Sequence, residues 1–170
     1  MCIRDRDGGV EQYKGAPTFR SMDEAAAAWG AIYAPLSSEI EYGAMIFEIK
    51  NMHTGETRYG YGPTYPGNSS NVVGGFIGGY AEGAVWSTWS TFSESGWYFR
   101  MVAFTHTHPD PGEGLINDVP SDTDVWLLNL PGMQEVYLFP NKVNYDEGRP
   151  SMIKISDTES WLPYKKQHWG

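Results

Sequence analysis

The chain has 170 residues, with 12 Lys plus Arg against 21 Asp plus Glu and a formal charge of −9 with the histidines neutral. That balance argues against a nucleic-acid partner, since phosphate backbones draw on clustered bases and Lys165-Lys166 is the sole adjacent basic pair. No run of about 18 apolar residues is present, so no membrane span is expected, and the length suits one domain able to bury roughly 70% of its unfolded surface without a structural metal.

Met1-Cys2-Ile3-Arg4-Asp5-Arg6 looks like the conceptual translation of a sequencing adapter, so residues 1–20 are set apart as adapter-like scar and linker, and the domain is placed at 21–170. Cys2 falls in that segment. Without it there is no cysteine for a disulfide, a thiolate zinc site or a Cys nucleophile.

Residues 7–20 are polar and Gly-rich and read as an arm entering the domain. Ser21-Met22-Asp23-Glu24 fits a capping box, Ala25 to Ala28 favour helix, and Pro35 should stop that helix near Tyr33 or Ala34. Glu39 to Ile49 reads as a strand in which Gly43, Met45, Phe47 and Ile49 share a face with Glu41. Lys50 to Glu56 has turn chemistry and leads into Thr57 to Tyr61 as a hairpin. Residues 62–96, rich in Gly and carrying Trp86 and Trp89, hold no period and read as an irregular excursion, either a substrate-facing lid or a short helix. Trp97 to Thr105 has the composition of a central strand, nearly apolar from Met101 to Phe104. A turn-rich loop from Pro109 to Pro120, a helix over Ser121 to Leu130, and strands at Glu135 to Phe139 and Ser151 to Ile155 complete a mixed α/β order without internal repeats.

Chemistry concentrates where that central strand ends, at Thr105-His106-Thr107-His108-Pro109, followed after eleven residues by Ser121-Asp122-Thr123-Asp124. On an extended backbone, residues two apart point to the same side, so both imidazoles can converge on one point. Ser121 and Asp124, three apart at a helix start, lie on one helical face, and a loop folding back could bring the Asp124 carboxylate to that point. Two neutral imidazoles and one carboxylate make a zinc-compatible set that leaves a fourth position for water. Each part also has an ordinary reading: a His-x-His pair can be surface chance, and Ser121 with Asp124 can be a helix cap.

With a glutamate upstream, Glu41, the set resembles the JAMM signature of the JAB/MPN metalloproteases. Glu41-Tyr42-Gly43-Ala44-Met45-Ile46, Tyr61-Gly62-Pro63 and Thr105-His106-Thr107-His108-Pro109 look more narrowly like a bacterial JAB-related domain of unknown function, often found at the C-termini of Rhs-type and other polymorphic toxins. The resemblance spans roughly residues 21 to 156, and the gap from Pro109 to Ser121 is longer than the usual JAMM spacing. It implies a single α/β JAB/MPN-like domain with a mixed sheet flanked by helices. It further implies zinc on His106, His108 and Asp124, Glu41 as general acid/base, and Ser121 supporting the tetrahedral intermediate. The expected activity is hydrolysis of peptide or isopeptide bonds in a peptide or protein substrate, as the toxin or effector module of a larger secreted bacterial protein with an immunity protein as partner. The alternative is a non-catalytic MPN-like scaffold or protein-interaction domain.

Glu39 shares the face of Glu41 and could serve as the base, whereas Glu48 falls on the opposite face of a regular strand. His53, in a hairpin turn, and His168, near the last residue, read as surface histidines. There is no His-Glu-x-x-His, Gly-x-Ser-x-Gly or Walker sequence, and Gly74-Gly75-Phe76-Ile77-Gly78-Gly79 lacks the opening of a dinucleotide fingerprint, so its glycines read as loop flexibility.

Overall fold

A computed structural model describes residues 17–67, 90–91, 96–109, 119–141 and 151–157. The first helix, α1 (Met22–Tyr33), continues into a 3-10 turn at Ala34–Leu36. The strands are β1 (Tyr42–Asn51), β2 (Thr57–Tyr61), β3 (Tyr65–Pro66), β4 (Ser90–Thr91), β5 (Trp97–His108), β6 (Glu135–Pro140) and β7 (Ile153–Ile155). Between β5 and β6 lies α2 (Asp122–Trp126) with a 3-10 turn at Leu127–Asn129. The sheet runs β2-β1-β5-β6-β7, with β3 added to β1 and β4 to β5. β5 and β6 are parallel and the other pairs antiparallel, so the chain is a mixed α/β fold as its sequence leads one to expect. Among the described residues no helix is long and apolar enough to cross a membrane.

Helix α1 begins where its cap predicts. The Ser21 hydroxyl accepts the Glu24 amide at 3.1 Å, while the Glu24 carboxylate reaches one residue further back than a capping box requires and accepts the Arg20 amide at 3.1 Å. Ala25, Ala26, Trp29 and Gly30 face the sheet. Small residues let the helix lie close: a Cβ on Gly30 would stand 2.2 Å from the Phe139 ring. The arm before α1 also docks, since Phe19 exchanges backbone hydrogen bonds with Tyr59 and its ring stacks near Tyr61. Asp23, on the outer side of α1, accepts the Tyr137 hydroxyl at 2.5 Å and pairs with Lys154 at 3.1 Å, tying the helix to β6 and β7.

The sheet separates two apolar layers. On the α1 side, Ala44, Ile46, Val102, Ala103, Tyr137 and Phe139 pack against Ala25, Ala26 and Trp29. On the other side, Met45, Phe47, Ile49, Phe104 and Val136 meet Leu127 and Met133, and Val125 of α2 packs on Leu138, Ile153 and Ile155. A bulge joins the two halves of β5. Ile46 is paired with Ala103 but Phe47 with Met101, which leaves Val102 as an extra residue. Phe99 and Met101 therefore share a face with Phe104 rather than with Ala103.

β1 starts three residues later than its composition suggests, because Ser37 to Glu41 forms a bent lead-in instead of strand. The hairpin from β1 to β2 is as expected: the Asn51 side chain accepts the amides of His53 and Thr54, and Gly55 sits at φ 75°, a conformation that suits glycine. His53 is exposed in that turn. Within the expected irregular stretch, β3 and β4 are short additions to the sheet. The lid or short helix and the run Gly74 to Gly79 lie outside the described residues, as do most of the loop Pro109 to Pro120 and His168.

Candidate metal centre

β5 stays extended through His108, so the alternation that begins at Phe104 carries His106 and His108 onto the α2 side of the sheet. The His106 ring stacks on Phe104 with centroids 5.3 Å apart, and His108 meets His106 edge-on at 5.0 Å. His106 has no solvent exposure and His108 is 4% exposed. Both rings are thus held on a rigid central strand flanked by β1 and β6.

The third member arrives from α2. Ser121 caps the helix by accepting the Asp124 amide at 3.2 Å, and Asp124 answers by accepting the Ser121 amide through Oδ2 at 2.7 Å. This reciprocal cap turns the Asp124 side chain back over the helix start, where its Oδ1 lies 2.9 Å from His106 Nε2 and its Oδ2 lies 3.4 Å from His108 Nε2. In Ser121-Asp122-Thr123-Asp124 the helix cap and the approach of Asp124 to the two imidazoles therefore go together, and the first produces the second.

Electrostatics follow from the burial. Loss of solvent works against a charge on Asp124, but the two imidazoles, His106 foremost, overcome it and hold the carboxyl well below the usual carboxylate range. Burial pushes His106 toward its neutral form; Asp124 outweighs this, with smaller help from Glu41 and the Tyr137 backbone, so the ring is raised above its ordinary value.

His106, His108 and Asp124 form a buried group that could hold a metal ion, with one ligand atom from each lying within 4.8 Å of the others. Two observations support the fit. Ligand atoms 2.0–2.2 Å from a common ion at tetrahedral angles stand about 3.3–3.6 Å apart; Asp124 Oδ2 stands 3.4 Å from His108 Nε2, within that range, while Oδ1 is closer to His106 Nε2 at 2.9 Å. Neither ring nitrogen of His106 completes a hydrogen bond, although both are buried and Nε2 lies 2.9 Å from Asp124 Oδ1. Leaving a buried donor or acceptor unsatisfied costs about 1–3 kcal/mol, which a cation on Nε2 would relieve in part.

Of the glutamates weighed as a base, Glu41 is 6% exposed, while Glu39 is exposed and Glu48 is engaged by Arg100 at 3.1 Å on the α1 side of the sheet. Glu41 stands one residue before β1, and its charge is near enough to raise His106. Ser121, half-buried, stands at the rim through its cap with Asp124.

Two hydroxyls have no obvious signal in the sequence. Thr107 Oγ1, on the opposite face of β5 from the rings, accepts the Tyr42 amide at 2.9 Å and donates to Ser37 Oγ at 2.7 Å; Ser37 in turn donates to the Ile40 carbonyl at 2.6 Å. A Thr between the two histidines, matched by a Ser in the lead-in to β1, is the only trace, and their contact depends on the fold. Comparison of the chain with protein-family models, curated proteins and solved structures finds no match.

Proposed function

We propose that the chain is a zinc-dependent hydrolase of peptide or isopeptide bonds of the JAB/MPN type. The observation that carries this reading is the buried convergence of His106, His108 and Asp124 with a second buried carboxylate, Glu41, beside them. Histidine nitrogens and a carboxylate oxygen match zinc better than magnesium or calcium, which prefer all-oxygen shells. Bound there, zinc would supply a Lewis acid that polarises a carbonyl and lowers the pKa of water toward about 7.

The protein's own groups then have distinct tasks. His106, His108 and Asp124 would hold the ion with little reorganisation, since strand and cap already fix them. Glu41, buried and near enough for its charge to act on His106, would take the proton of the attacking water and pass it to the departing amine. Ser121 accepts the Asp124 amide through its oxygen and keeps its own proton to donate to the developing oxyanion, a contribution worth about 100- to 1000-fold in rate. Acidic overall charge fits a protein or peptide partner better than a nucleic acid. Delivery as the toxin or effector end of a larger secreted protein, with an immunity protein, rests on the resemblance in motif alone.

Elemental analysis of protein purified without chelator is expected to give about one zinc per chain. With zinc supplied at saturation, Glu41→Ala should still hold one ion per chain and lose cleavage of a pool of internally quenched peptides and of an ε-lysyl isopeptide analogue, by about 100-fold or more. A chain that takes up no zinc would be the non-catalytic scaffold instead, and full activity in Glu41→Ala would move the base to another residue.

A further inference from the structure

We infer that Thr107 and Ser37 are positioning residues that fix Glu41 against the metal centre, an inference that rests on the zinc reading above. Glu41 has a peptide group on each side. The carbonyl of the first, from Ile40, accepts the Ser37 hydroxyl at 2.6 Å, and the amide of the second, from Tyr42, donates to the Thr107 hydroxyl at 2.9 Å. Thr107 donates to Ser37 at 2.7 Å and closes the ring. Each hydroxyl gives one hydrogen bond and receives one, so the direction runs from the Tyr42 amide through Thr107 and Ser37 to the Ile40 carbonyl without conflict. Both hydroxyl residues are completely buried. Such a buried chain polarises its members in series and has one low-energy arrangement.

Its location gives the ring its effect. The lead-in Ser37 to Glu41 is not strand, so no ladder of β1 holds Glu41 in register. The ring replaces that ladder, together with the Gly67 amide, which donates to the Glu41 carbonyl at 2.7 Å. Thr107 is the residue between the two ligand histidines. The same three-residue segment of β5 thus presents the metal ligands on one face and grips the backbone of the base from the other, so base and centre share one frame of reference.

Thr and Val have the same shape, and Thr107→Val removes the hydroxyl while keeping the β-branched side chain between the ligands. The test is a double-mutant cycle on zinc affinity, read by competition with a chromophoric chelator on the full chain. Glu41→Gln should weaken zinc about tenfold, at the lower end of what losing a partner just outside the ligand set costs. Thr107→Val should weaken it about three- to tenfold, Thr107→Ser by less than twofold, and Glu41→Gln with Thr107→Val no more than Glu41→Gln alone. Ser37→Ala, which leaves the ligand strand untouched, should follow Thr107→Val and covers the case in which valine at 107 disturbs folding. Wild-type affinity in both Thr107→Val and Ser37→Ala, or losses that multiply with Glu41→Gln, would overturn the inference while the zinc reading stands. Absence of zinc binding by the wild type would overturn the zinc reading itself, and the inference with it.

Discussion

Asp124 performs two duties that usually fall to different residues. Its Oδ2 closes the cap of α2 on the Ser121 amide, and its two oxygens face the two imidazoles. Asn keeps a cap oxygen and the shape of the side chain but carries no charge, so Asp124→Asn separates the duties. Zinc affinity should fall by about 100-fold or more, beyond the cost of losing a supporting partner, while the metal-free protein keeps the cap and loses at most about 3–5 kcal/mol, the cost of breaking a buried charge pair. Asp124→Ala loses cap and ligand together and should cost about 1 kcal/mol more than Asn in denaturant melts. The pair of variants distinguishes a residue held for its charge from one held for its cap. Asp23 offers a simpler electrostatic case at the same scale: the Tyr137 hydroxyl, more than burial opposes it and with Lys154 assisting, lowers its carboxyl from an ordinary value of 3.8. A depressed carboxyl contributes stability above its unfolded value and loses it as pH falls through the folded one. Tyr137→Phe should therefore be less stable than wild type near neutral pH, with the gap narrowing as the pH drops below about 4 in acid-unfolding titrations.

Among the elements, the approach of α1 to the sheet sets a sign that can be measured. Alanine in place of glycine on an exposed helix face stabilises by about 1 kcal/mol. At Gly30 the added methyl would meet the Phe139 ring, so Gly30→Ala should instead destabilise, by about 1–3 kcal/mol in equilibrium unfolding. A stabilised variant would mean that helix and sheet do not touch there. Element order, the cap at Ser21, the hairpin turn and the His-x-His alternation are all legible from residue types and spacing, since each depends on neighbours in the chain. The bulge at Val102 is not. In a strand apolar on both faces the sequence carries no alternation to interrupt, yet the bulge reverses the parity of β5 and so shares in deciding which layer accompanies the two rings. The difference between Glu41 and Glu39 is illegible for a related reason: both sit in the same lead-in, and the burial of one and the exposure of the other depend on how that lead-in meets the rest of the fold.

At the scale of the whole molecule, the apolar layers on both sides of the sheet are built from residues other than the three at the centre. The fold should therefore form without metal, and chelator-treated protein should keep its far-ultraviolet circular dichroism. Zinc at a free concentration of 100 times its dissociation constant stabilises a binding-competent native state by about 2.7 kcal/mol. For a chain of this size that corresponds to a rise in Tm of about 5–11 °C. A net charge of −9 could also gather cations at scattered surface carboxylates, and such weak binding would shift Tm as well. The two sources respond differently to one substitution. His106→Ala leaves every surface carboxylate in place and removes one ligand, so a thermal shift that belongs to the centre should vanish in this variant. A shift of the same size in wild type and His106→Ala would assign the zinc to the acidic surface and leave the buried triad as an electrostatic anchor for α2.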